Sequence, residues 1–314
     1  MPAMMKTVTL VVCLTLVSVG EGQAQDSSTD TRRTVAVTID DLPAVARGGL
    51  PALQRVTDRL LQHIIEHDVP AVGFVNEVKL EVPGEKEART ALLRQWVDAG
   101  LELGNHTYGH RSFHTTPLDT FQADVLRGER VTRRLLGARG QTPRYFRHPY
   151  LRTGPDVAAK AAFAQFLDDH GYTIAPVTID NDERIYAAAY RDAAGDSTMM
   201  RRVGEAYLRY MDEMFAYFEQ LSTDLLGYEI KQVLLIHANE LNADYFGELA
   251  EMMKRRGYRF ITLEEALEDE AYRLGDPYVG PRGLSWLQRW AIGRGEEPTG
   301  EPRVDRFVRE ISGF

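Results

Sequence analysis

The chain has 314 residues, 44% hydrophobic and 26% charged, enough to bury one large core or two smaller ones. A net charge of −9 with no basic cluster argues against nucleic acid as a partner. A single cysteine and the lack of any fixed-period repeat exclude a disulfide scaffold and a repeat array.

The N-terminus has the pattern of a signal peptide over residues 1–25. Lys6 supplies the positive region, Thr7 to Val19 a short apolar run, and Gly22-Gln23-Ala24 the small residues of a cleavage site. The run is too short to span a bilayer, so we expect export to the periplasm or medium with no stable membrane insertion after cleavage. Cys13 lies inside the run, and Val12 before it is too large for a lipoprotein cleavage site. Cleavage removes Lys6 and Glu21, which cancel, so the mature charge stays at −9 and no cysteine is left. Residues 26–33 read as a flexible leader.

Strands and helices then alternate. TVAVTID (34–40) reads as a buried strand, Leu53 to His67 as an amphipathic helix, and AVGFVN (71–76) as a second strand. Glu85 to Ala99 is helical, LELGNHT (101–107) strand-like, and Phe121 to Leu136 helical. YFRHPY (145–150) is strand-like, Asp156 to His170 helical, and YTIAPVTID (172–180) a fifth strand. A long helix over 198–226 carries Met200, Val203, Tyr207, Tyr210, Met214, Phe218 and Leu221 on one stripe, a core face. VLLIHAN (233–239), a helix from Asp244 to Arg256, and YRFITL (258–263) complete the series. Seven strands alternating with helices predict a parallel α/β architecture, a barrel or an open sheet. Beyond about Gly275 the chain is irregular, and Trp286 and Trp290 predict one short anchoring helix in a tail over 276–314.

Polar residues recur at the strand ends, where α/β proteins build sites. Asp40-Asp41 follow the first strand, His106 and His110 the third, and Arg147 to Tyr150 the fourth; Asp180 to Glu183 follow the fifth, and His237 closes the sixth. Two histidines four apart can share one face of a helical turn and bind one ion. With a carboxylate from Asp40 or Asp41 they form a three-ligand site that leaves a position open for water. A second pair, His63 and His67 in HIIEH, matches an inverted zincin pattern. Its helix has an ordinary apolar face through Leu53, Leu60 and Ile64, with His63 at the boundary and His67 in the last turn, where the helix dipole favours a histidine. That pair needs no metal. His114 reads as a neighbour of the site rather than a ligand.

TIDDLP, HTYGH, RHPY, TIDNDE and LIH resemble, in order and separation, the five motifs of NodB-type polysaccharide deacetylases, carbohydrate esterase family four. The similarity runs from about Thr34 to Leu267. It implies a distorted (β/α) barrel with about seven parallel strands and a catalytic domain over 34–275. It also implies that Asp41, His106 and His110 hold a divalent metal, zinc first, with cobalt or nickel as alternatives. Asp40 would be the base that takes a proton from the water the metal activates, and Arg147 would orient Asp40. His237 would protonate the departing amine or alcohol. The Tyr150 N–H would complete an oxyanion site, and Tyr150 and Leu235 would border the acetyl pocket.

Two positions depart from the family pattern. Leu42 stands where a glycine is usual, and the fourth motif, normally D-x-x-D-W, reads Asp180, Asn181, Asp182, Glu183, Arg184. Either Glu183 replaces the aspartate that orients the acid histidine, or Asp182 takes that role; the tryptophan is missing. The resemblance implies a hydrolase releasing acetyl groups from N- or O-acetylated sugars of a polysaccharide. The alternatives are a hydrolase of a formamide or other small linear or cyclic amide on the same fold, and a non-catalytic carbohydrate-binding relative.

Overall fold

The computed structural model describes residues Arg33–Phe314; the expected signal peptide and nearly all of the expected leader lie outside the described residues. The first strand, β1 (Arg33–Val45), is the spine of the sheet, and its residues Val35, Ala36, Val37 and Ile39 are fully buried. It pairs along one edge with β6 (Gln232–Asn239), from Val35 opposite Gln232 to Asp40 opposite His237. Its other edge is shared by β7 (Tyr258–Phe260) near its start and by β2 (Val72–Val75) further on. Then come β3 (Glu102–Asn105), β4 (Tyr145–Phe146) and β5 (Thr173–Ile174).

Among the described residues all pairings are parallel, and the strands number seven. After β5 the chain crosses to β6, where Ile179 bridges Leu234. This draws the two ends of the sheet together as the distorted (β/α) barrel expected from the sequence. Helices cover the outside: α1 (Gly49–Glu66), α2 (Lys86–Asp98), α3 (Leu118–Arg127), α4 (Arg130–Gly137), α5 (Val157–Asp169), α6 (Glu183–Asp192), α7 (Ser197–Leu226), α8 (Glu240–Arg255) and α9 (Leu263–Leu267). Along α7 the expected stripe is core: Val203, Tyr207, Tyr210, Met214 and Phe218 are buried. Asp196 caps its start by accepting from the Thr198 and Met199 N–H groups. Among the described residues no helix is long and apolar enough to cross a membrane.

The structure departs from the periodicity in four places. The helix expected over 121–136 is two, α3 and α4, broken at Gly128. A Cβ there would lie 2.4 Å from the Tyr108 backbone nitrogen, so the turn that follows β3 presses into the break. The strand expected over 172–180 pairs only at 173–174 and again at Ile179, because Pro176 between them has no N–H for a ladder. YFRHPY is a strand only at Tyr145–Phe146; from Pro149 it turns, with Tyr150 at φ 58°. Finally, α6 had no apolar signal long enough to be read, yet it buries Ile185, Tyr186 and Tyr190.

The tail carries two helices rather than one: α10 (Trp286–Gly293), with Ser285 and Gln288 forming a capping box, and α11 (Arg306–Ser312). Trp290 is 3% exposed, and its indole N–H donates to the Gly275 carbonyl at 2.6 Å. Trp290→Ala should therefore cost about 3–5 kcal/mol of unfolding free energy, and Trp290→Phe clearly less. Urea unfolding of both variants checks this; a wild-type midpoint for Trp290→Ala would mean that the tail packs without contributing to the core.

Candidate active site

The site begins with an irregularity in β1. Between Ile39, opposite Gly73, and Leu42, opposite Val75, β1 advances three residues while β2 advances two. The extra residue is a bulge, and Asp41 within it adopts φ 74°, a left-handed conformation that aspartate tolerates better than most residues. Adjacent side chains on a regular strand would point to opposite faces. The sequence pattern ends this strand at Asp40. In fact β1 continues to Val45, and the bulge is what brings Asp40 and Asp41 into one cavity. Leu42, in the position where glycine was expected, is fully buried against Gly73 and contributes to the core.

Asp41, His106 and His110 each present one ligand atom, all within 4.8 Å of one another. The two histidines were expected to share a helical turn. Instead the chain leaves β3 through two left-handed residues, Thr107 at φ 62° and His110 at φ 52°, and the rings meet edge to face with centroids 4.8 Å apart. The turn is fixed from outside. Asp124 accepts from the Gly109 N–H through its carboxylate and from the Tyr108 N–H through its carbonyl, and the Arg127 guanidinium lies 3.5 Å from the Tyr108 ring centroid.

His106 is fully buried, with Nδ1 2.8 Å from the Arg147 carbonyl, to which it donates when that nitrogen carries the proton. That tautomer leaves the Nε2 lone pair facing the cavity. Burial pushes both imidazoles down to about 4, with each other's charge adding to the effect at His110, so both are neutral at ordinary pH. Burial also disfavours charge on Asp41, but Lys79 and the three nearby histidines outweigh it and hold the carboxyl well below its usual range. Lys79 Nζ stands 3.3 Å from Asp41 Oδ1 and donates to the Asp41 carbonyl at 2.7 Å.

Asp40 is 2% exposed. Burial raises its carboxyl above the ordinary value against the pull of Arg147 and His237. Arg147 is entirely buried, and its guanidinium donates to the Ala175 carbonyl at 3.0 Å, to Thr38 Oγ1 at 2.8 Å and to Asp40 Oδ2 at 3.5 Å. The other carboxylate oxygen, Oδ1, is buried without a hydrogen-bond partner.

His237, beside Asp40 across the β1–β6 ladder, meets Glu183 rather than Asp182: its Nδ1 is 2.8 Å from Glu183 Oε2. Glu183 is fully buried as the first residue of α6, and its other oxygen accepts from the side-chain amides of Asn239 and Asn242. Asp182, half-exposed at the edge of the site, pairs instead with Arg184 at 3.3 Å. Burial opposes charge on His237, but the Glu183 carboxylate outweighs it and raises the imidazole to about 9.

Asp40, Asp41, His106, His110 and His237, with Tyr150 and Leu235, line one cavity of about 490 Å³. The Tyr150 ring packs edge to face on His110 at 4.5 Å, and its backbone N–H makes no backbone hydrogen bond among the described residues. Gly283 of the tail reaches the same cavity, where a Cβ would fall 1.8 Å from the Tyr150 carbonyl oxygen.

Residues 27–174 match the family model described as polysaccharide deacetylase. The matched stretch, just under half of the chain, is similar to the polysaccharide deacetylases. Its fold is similar to that of the chitin deacetylase from the fungal pathogen Colletotrichum lindemuthianum, at 24% identity over 76% of this chain and 89% of that one, with a TM-score of 0.51. It is also similar to a mutant of a CE4-family pseudoenzyme from Bacillus anthracis, at 18% identity over 75% and 67% of the two chains and a TM-score of 0.50. No curated protein matches the chain.

The HIIEH pair lies away from this cavity. His63 packs against Gly247 of α8, and His67, just past the end of α1, pairs with Glu251 at 3.1 Å. Lys79, Asn239, Asn242 and Gly283 escaped sequence reading. Only the two asparagines left a trace, as polar residues directly after the LIH motif.

The Glu183–His237 pair has a measurable signature. A folded-state value raised to about 9 contributes stability that is present below the imidazole's unfolded value near 6.5 and is lost as pH rises through about 9. Glu183→Gln should bring the His237 titration, followed by ring proton NMR, down by at least one pH unit. It should also flatten the fall in urea midpoint between about pH 6.5 and 9. A His237 titration unmoved by Glu183→Gln would show that another group charges the imidazole.

Proposed function

We propose that the mature chain is a metal-dependent deacetylase that hydrolyses acetyl groups on N- or O-acetylated sugars of a polysaccharide. The observation that carries this reading is the convergence of five groups on one cavity: Asp41, His106 and His110 as a ligand triad, Asp40 as a second carboxylate, and His237 as a protonated imidazole. An ionised carboxylate and two neutral imidazoles are the donor set of a divalent cation with an open position, and zinc suits it, with cobalt or nickel as alternatives. When bound there, the cation supplies Lewis-acid polarisation of the acetyl carbonyl and acidifies water.

The chain's own residues do the remaining work. Asp40 accepts the proton of the attacking water, and its free Oδ1 is available for that bond. Its raised value brings its basicity closer to working pH, while Arg147 fixes its orientation through Oδ2. The Tyr150 N–H donates to the oxygen that gains charge as the acetyl carbon becomes tetrahedral. His237, held by Glu183, delivers a proton to the departing nitrogen or oxygen. Leu235 and the Tyr150 ring border the methyl group. A non-catalytic relative would not need both a complete triad and an oriented acid and base. Action outside the cytoplasm is part of this proposal, and the signal-peptide pattern of residues 1–25 supports it.

Purified mature protein should release acetate from at least one of acetylated chito-oligosaccharides, peptidoglycan and acetylxylan. A chelator should abolish that release, and added zinc should restore it. Asp40→Asn should lower turnover about 10²–10⁴-fold while the protein still binds one metal per chain, measured by elemental analysis. Absence of metal-dependent acetate release from all three substrates sinks the proposal, and full activity of Asp40→Asn removes Asp40 as the base.

A further inference from the structure

The same cavity has arginines that none of the chemistry above uses. Arg152, just beyond the turn at Tyr150, lines it, and so do Arg184 and Arg191 of α6. On a helix, positions 184, 187 and 191 fall on one face, and Ala187 between the two arginines also lines the cavity. The wall is thus basic at both ends with a small residue between, over about 10 Å of helix.

The charges within the cavity pair off unevenly. Asp40 is engaged by Arg147, Asp41 by Lys79, and Asp182 by Arg184. Asp180, the remaining carboxylate, is raised to about 7 by burial and by the nearby acids Glu301 and Asp182. Among the described residues Arg152 and Arg191 have no carboxylate within 4.0 Å, the limit of an ion pair. The Nε atoms of both are buried and have no hydrogen-bond partner. Arg152 has only Ser112 Oγ, at 3.3 Å from Nη1, and the face of Tyr150, whose ring centroid is 5.4 Å from the guanidinium carbon. Buried guanidinium donors are normally satisfied, and a planar fork matches a carboxylate in two parallel bonds.

We propose that the substrate is an acetylated sugar that also bears a carboxylate, and that Arg152 and Arg191 hold that carboxylate. This rests on the deacetylase reading and narrows it from acetylated sugars in general to acidic ones. Arg152 sits on Tyr150, so binding an acid there would also steady the residue whose N–H faces the acetyl oxygen. Arg184, already paired with Asp182, lends charge to the wall rather than a direct contact.

The test uses two matched acetylated oligosaccharides, one neutral and one with a carboxylate on the acetylated sugar. Binding is measured by calorimetry on the zinc-loaded Asp40→Asn protein, and acetate release on the wild-type chain. The acidic ligand should bind at least about tenfold more tightly at low salt, the scale of one charge-assisted hydrogen-bond pair, and should lose most of that advantage in high salt. Arg191→Gln and Arg152→Gln should each reduce the acidic-to-neutral ratio about five- to tenfold, and Arg191→Lys should restore part of it. Thermal melts of each variant separate this from misfolding. Equal binding of the two ligands, or equal weakening of both by the arginine variants, overturns the carboxylate assignment. Carboxylate-selective binding with no acetate release from either oligosaccharide would instead sustain this assignment and overturn the reaction.

Discussion

The site depends on one buried cation. Arg147 has no contact with solvent, a placement that is strongly unfavourable unless every part of the guanidinium is satisfied. Its nitrogens bind the Ala175 carbonyl after β5, the Thr38 hydroxyl in β1 and the Asp40 carboxylate, and its face covers the Phe74 ring in β2 at 4.7 Å. Its own carbonyl meets His106. One residue therefore joins β1, β2, the segment after β5 and the turn after β3, and it spans both halves of the reactive machinery. The candidate base and one candidate ligand take their orientation from the two ends of a single side chain and peptide.

The departure at the fourth motif is absorbed by local geometry. Glutamate is one methylene longer than aspartate, yet Glu183 begins α6 with its side chain turned back toward β6. Its second oxygen is held by Asn239, which also caps α8, and by Asn242 in the first turn of that helix. The carboxylate is locked by the secondary structure that surrounds it.

How much of this was legible in the sequence depended on the range of the interaction. The order of strands, the long α7 stripe and the strand-end position of each chemical residue follow from local periodicity. The identity of the carboxylate beside His237 does not: Asp182 and Glu183 are adjacent, and only the direction of α6 decides between them. The bulge at Asp41 was equally hidden, since a strand that ends and a strand that kinks have the same neighbours in sequence. Lys79 sits in an unremarkable polar stretch, and its link to Asp41 is a property of how β1 and β2 are set side by side. Arg147 carried a motif signal, but its complete burial came only with the barrel.

The contact of Gly283 with the Tyr150 carbonyl has a consequence for how the protein could change. The peptide between Tyr150 and Leu151 is held from behind by a backbone more than a hundred residues away, at a point where no side chain fits. Sequence drift in the tail is therefore not free. A lengthened or shortened loop before α10 would shift Tyr150, and with it the wall of the cavity, while leaving the motifs intact. Two relatives with identical motifs could differ in rate because of their last forty residues, and a chimaera joined before Gly275 would inherit its motifs from one parent and their alignment from the other.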